Sequence, residues 1–148
     1  MELTVGPFDP VLHVRSRDHY QALRREAQLL GLQPGSPPRR YEALMDRFAG
    51  RFLALQEIDA AVDRAYRAGE RRFTARVVVA DELVPEALAA CDEADALLHE
   101  LDRWTGPEQG EELLSTPEEV KLYRDAVLRQ IREQLERGPA ARGERARG

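Results

Sequence analysis

The chain has 148 residues, a formal net charge of −5 and 43% hydrophobic residues. That is the size of one domain with enough apolar material for one core, which excludes wholesale disorder. The longest apolar runs, such as Val77-Val78-Val79-Ala80, are too short to cross a bilayer. No basic-then-apolar leader precedes Pro10, and the single cysteine, Cys91, cannot close an internal disulfide. A cytoplasmic protein with no membrane partner is the expectation.

Residues 1–16 lack helical periodicity. Gly6, Pro7 and Pro10 break helices, so this stretch is expected to be an extended segment. Ser16 or Asp18 then caps a first helix over about Arg17 to Leu30, with Tyr20, Leu23, Ala27 and Leu30 on one face. Gly31 ends it, and Pro34-Gly35-Ser36-Pro37-Pro38 forms a stiff loop.

A single long helix is expected from about Arg40 to Ala68. Tyr41, Leu44, Met45, Phe48, Phe52, Leu55, Val62 and Tyr66 make its stripe, and Asp59 interrupts it. Gly50 costs such a helix about 1 kcal/mol against alanine and invites a close neighbour. Gly69 stops it. Over 71–80 the period changes to two: Phe73, Ala75, Val77 and Val79 alternate with Arg72, Thr74, Arg76 and Val78, the pattern of a strand. A lone strand leaves backbone groups unpaired. Its partner is Leu3-Thr4-Val5 or Leu12-His13-Val14 of this chain, or a strand of a second subunit, unless the run is an ordered connector lying over the helices.

Asp81 is read as the cap of a third helix that ends near Trp104, with Pro85 in its first turn. Val84, Leu88, Cys91, Ala94, Leu98 and Leu101 face the core. Thr105-Gly106-Pro107 and Gly110 break the chain. The fourth helix has the sharpest start: Thr116 as cap, Pro117 at the first position and Glu119 completing a capping box. Val120, Tyr123, Val127, Ile131 and Leu135 face inward, and Gly138-Pro139 stops it. The expected fold is therefore mainly α: a bundle of about four helices over 17–137 with one or two short extended segments, and a disordered tail over 138–148.

Charge is uneven. Residues 1–80 carry a net +3, residues 81–136 a net −11 and residues 137–148 a net +3. The acidic region repels phosphates, and the arginines of the first half are interleaved with acids, so nucleic acid is not an expected partner, even through Arg24, Arg25, Arg39 and Arg40. Of the basic residues only Lys121 is lysine, a bias that fits codon usage or arginine recognition of carboxylates or phosphates.

No catalytic motif emerges. There is no phosphate loop and no Gly-x-Ser-x-Gly turn, and the serines sit at caps and loops. Cys91, Asp95 and His99 follow one another at steps of four. Cys91 and His99 are then about 12 Å apart along a helix, too far for a thiolate–imidazole pair. Asp95 and His99 share a face and with nearby carboxylates form the one alternative metal or ligand set, although the Glu-x-x-His pairs of di-metal bundles are absent. Glu108, Glu111 and Glu112 match no calcium-loop spacing. Trp104 ends a helix beside a loop, a place for core burial or for an interface anchor.

The chain from Arg40 to Arg132 resembles small helical proteins encoded in actinobacteria near signalling genes. Arg47-Phe48, Gln56-Glu57, Ala68-Gly69-Glu70, Asp92-Glu93-Ala94-Asp95 and Leu113-Leu114-Ser115-Thr116-Pro117-Glu118-Glu119-Val120 carry the resemblance, over about two thirds of the chain. It departs at Leu98-His99, where the pattern has a cysteine, and at Leu122-Tyr123-Arg124-Asp125, where it is more aromatic. The resemblance implies regulation beside anti-sigma-factor kinases and their antagonists. The expectation is a non-catalytic regulatory or interaction module that contacts a protein partner or a second copy and needs no cofactor. Phe73, Val77, Val79, Trp104, Tyr123 and Arg124 are the candidate interaction residues. No metal is assigned outside the Asp95–His99 alternative.

Overall fold

The computed structural model describes residues 1–104 and 115–147. The chain breaks expected at Thr105-Gly106-Pro107 and Gly110, the acidic group Glu108, Glu111 and Glu112, and Gly148 lie outside them. Among the described residues the protein is mainly helical, with five α-helices and a two-stranded sheet. The order is β1 (Glu2–Phe8), α1 (Pro10–Leu29), α2 (Pro37–Arg51), α3 (Ala54–Arg67), β2 (Phe73–Val78), a short 3-10 turn (Asp81–Leu83), α4 (Val84–Arg103) and α5 (Glu118–Arg147).

The period-two run forms β2 and pairs antiparallel with β1, Leu3 opposite Val77 and Val5 opposite Ala75. Leu3-Thr4-Val5 is thus the partner within the chain, whereas Leu12-His13-Val14 lies in α1. One face of the sheet is buried and the other is exposed: Leu3, Val5, Phe73, Ala75 and Val77 are at most 3% exposed. The pairing slips between Val5 and Phe8. Gly6 makes the slip sterically feasible, because a Cβ there would lie 2.5 Å from the Phe73 carbonyl oxygen and its φ is +122°.

Two apolar clusters hold the fold. One packs α3 (Ile58, Ala61, Val62, Ala65) against the sheet, with Val84, Ala87 and Leu135. The other joins α1, α2, α4 and the start of α5 through Tyr20, Leu23, Tyr41, Leu44, Leu97, Leu98, Leu101 and Val120.

Several boundaries differ from expectation. The first helix begins at Pro10, not Arg17, because the Asp9 carboxylate accepts the Val11 N–H at 2.9 Å and Pro10 occupies the first helical position, where its missing donor costs nothing. The extended segment therefore ends at Phe8. The single long helix is two, since Phe52 is extended (φ −122°, ψ 116°) between α2 and α3. Gly50, near that break, meets nothing within 4 Å of a Cβ position, so it serves no close approach.

Asp81 does not cap α4 with its side chain; it pairs with the Met1 ammonium at 3.0 Å. At the start of α5, Thr116 lies against His19 and Glu119 against Arg15, so the proposed box residues spend their side chains across helices. The helical backbone of α5 continues past Gly138, which is itself non-helical, to Arg147.

Candidate functional site: polar groups between α1, α4 and α5

Three polar groupings bring residues from distant parts of the chain together. The first is centred on His13 of α1. Its Nε2 lies 2.8 Å from Asp59 Oδ1 on α3, and its Nδ1 lies 2.6 Å from the Tyr123 hydroxyl on α5. An ionised carboxylate only accepts, so in the neutral ring Nε2 carries the proton and Nδ1 accepts from Tyr123. Phe8 and Phe73 pack edge-on against Tyr123 and His13 respectively. A cleft of about 360 Å³ opens beside His13 and Asp59 and reaches Tyr20 and Tyr41.

Tyrosine, imidazole and carboxylate in a row have the form of a proton relay. The tyrosine end is closed, however. Tyr123 is 7% exposed, and burial foremost, with Asp59 and Asp9, pushes its hydroxyl above the ordinary phenol range. A nucleophile or acid–base group needs access and a pKa brought towards neutrality. Tyr123 has neither.

The second grouping surrounds Arg124 of α5, 6% exposed. Its Nη1 donates to Asp102 Oδ1 at 2.7 Å and to the Tyr20 hydroxyl at 2.8 Å, its Nη2 pairs with Asp102 Oδ2, and its Nε donates to Asp125 at 3.2 Å. Burial acts against the guanidinium charge, but Asp102 and Tyr20 outweigh it and hold Arg124 above its ordinary value. Close by, His19 Nε2 lies 3.0 Å from Thr116 Oγ1. Burial, and then the charge of Arg124, push the His19 imidazole below its ordinary value, against the opposite pull of Asp102. These bonds tie α5 to α1 and α4.

The third grouping contains the expected Asp95 and His99 of α4. Asp125 of α5 joins them, and one ligand atom of each lies within 4.8 Å of the others. His99 Nδ1 is 2.8 Å from the Asp95 carbonyl oxygen. A cleft of about 290 Å³ beside them is lined also by Cys91, Leu128, Arg129 and Arg132. Two carboxylates and an imidazole are donors for a divalent cation of zinc or manganese type. Burial, chiefly, pushes the Cys91 thiol at this wall above its ordinary value.

The expected interaction residues are placed as follows. Phe73, Val77 and Val79 are buried in the sheet core. Tyr123 and Arg124 are buried in the first two groupings. Trp104 packs half-buried on the second cluster. The side chains of the first five therefore face the interior, where the pairing of β2 with β1 and the docking of α5 bury them. Sequence reasoning missed His13, Asp59 and Asp125. Only the interrupted apolar stripe at Asp59 hinted that a polar contact replaced a hydrophobic one.

No known family, curated protein or solved structure matches the chain.

Proposed function

We propose that the protein is a non-catalytic regulatory module that acts by contact with another protein or a second copy, in bacterial signalling or transcription control. The supporting observation is the Tyr123–His13–Asp59 row. Among the described residues, this row has the form of catalytic machinery, yet it ends in a buried hydroxyl whose proton is held more tightly than usual. The Arg124 group is likewise spent on helix docking. Light scattering together with recovery of the tagged chain from its own cell extract tests the reading. A stable complex or a dimer is expected; a monomer that recovers no protein would contradict it.

A second reading is a metal-binding bundle, favoured by the arrival of Asp125 beside Asp95 and His99. Stoichiometric zinc or manganese in freshly purified protein, with a melting temperature raised by the ion in the wild type and not in His99→Gln, would support it. Metal-free protein with unchanged melting would remove it.

A further inference from the structure

The two edges of the sheet are treated differently. Backbone groups in an antiparallel pair point alternately towards the partner and away from it. The Val79 N–H donates to the Met1 carbonyl at 2.8 Å, so Leu3 and Val5 on β1, and Val77 and Ala75 on β2, face each other. Thr4 and Gly6 then face out on the β1 side, and Thr74, Arg76 and Val78 face out on the β2 side.

At Thr4 and Gly6 the β1 side is closed by side chains that imitate a strand. Thr4 N–H donates to Gln134 Oε1 at 2.8 Å and Gln134 Nε2 donates to the Thr4 carbonyl at 2.6 Å. Gly6 N–H donates to Gln130 Oε1 at 2.7 Å and Gln130 Nε2 to the Gly6 carbonyl at 2.9 Å. Gln130 and Gln134 are four apart on α5, one helical turn, so both reach one strand. Among the described residues nothing bonds the outward N–H and C=O groups of Thr74, Arg76 and Val78. All three residues are exposed, Val78 at 64%.

An open edge is a template for another strand. Its surroundings select the sign of that strand. From Arg64 to Val78 the chain carries five arginines (64, 67, 71, 72 and 76) and one carboxylate, Glu70. Among the described residues Arg64, Arg67, Arg71 and Arg72 have no ion-pair partner, and Arg76 has only Glu2 at 3.9 Å. A second copy laid on this edge would bring two such arginine sets together, which like-charge repulsion opposes. We propose that the outer edge of β2 takes an extended acidic segment of a partner protein as a third strand. Backbone bonds to Thr74, Arg76 and Val78 would hold it, with its carboxylates against Arg72 and Arg76 and an apolar side chain against Val78. This rests on the interaction reading and names the surface and the chemistry of the partner.

The test uses the whole chain with a labelled peptide of alternating glutamate and valine, its lysine-for-glutamate counterpart, and amide exchange. The acidic peptide should bind at least tenfold more tightly than the basic one, weaken with salt, and slow exchange at Thr74, Arg76 and Val78. Arg76→Pro removes an outward N–H and leaves the β1 ladder intact, as proline is tolerated on that side of an edge strand. It should abolish binding without unfolding the protein. Arg71→Glu with Arg72→Glu, a surface change, should lower affinity at least tenfold should the proline variant fail to fold. Equal binding of the two peptides, no protection of the three amides, or protection produced by self-association alone would overturn the proposal. If wild type and the double glutamate variant recover the same protein from extract with equal yield, the edge proposal falls while the interaction reading stands. If neither recovers anything and the chain is a monomer, the interaction reading falls as well.

Discussion

Arg124 on α5 and Asp102 on α4 form a two-pronged ion pair in which the arginine side chain is 6% exposed and the aspartate 14%. Each charge is stabilised inside the protein mainly by the other, with Tyr20 and Asp125 each taking one further N–H of the guanidinium. Removing one partner leaves a desolvated charge, a loss of about 3–5 kcal/mol for buried pairs. Arg124→Met and Asp102→Asn should each destabilise on that scale. The double variant Arg124→Met/Asp102→Asn should lose less than the sum. Urea denaturation of the four proteins checks this; additive losses would show that the pair does not couple α4 to α5.

The glutamine seal of β1 makes a graded prediction. Gln130 bonds Gly6 in a partly buried position, whereas Gln134 bonds Thr4 at the surface. Gln130→Ala leaves two partly buried backbone groups unpaired and should cost about 1–3 kcal/mol. Gln134→Ala, where water replaces the amide, should cost less. Both should expose a second sheet edge, and aggregation on concentration should rise in the same order.

Gly6→Ala tests the close approach of β1 to β2. The added methyl would lie 2.5 Å from the Phe73 carbonyl oxygen at a φ of +122°. A loss above about 2 kcal/mol is expected from strain and steric overlap together. An alanine variant with wild-type melting would contradict this placement of the bulge.

His19 supplies a pH dependence. Its folded-state pKa lies below that of the unfolded chain, so between the two values the unfolded state binds more protons. Its contribution to stability is fully present above about pH 6.5 and is lost as pH falls through the folded value. Between pH 7.5 and 5 the urea midpoint of the wild type should fall further than that of His19→Gln. Equal slopes would mean that the half-buried imidazole contributes nothing.

What was legible in the sequence followed from local periodicity. Phe73, Ala75 and Val77 announce a half-buried strand, but its need for a partner left Leu3-Thr4-Val5, Leu12-His13-Val14, a second subunit and an ordered connector open, and the fold takes the first. The apolar stripes of α4 and α5 were equally plain. The break at Phe52 was hidden because the apolar spacing runs on from Phe48 through Leu55 and only the backbone turns. Pro10 was read as a breaker although Asp9 before it makes Pro10 a first helical residue. The polar groupings were out of reach for a different reason. His13 meets Asp59 and Tyr123 across 46 and 110 residues, and no one-dimensional pattern records such a meeting.

The unequal edges of the sheet are tested most directly by residue-resolved amide exchange on the free protein. The Thr4 and Gly6 amides should exchange slowly, held by Gln134 and Gln130, and those of Thr74, Arg76 and Val78 should exchange fast. Slow exchange at all five would mean that β2 is already covered, and the surface argued for partner binding would not exist.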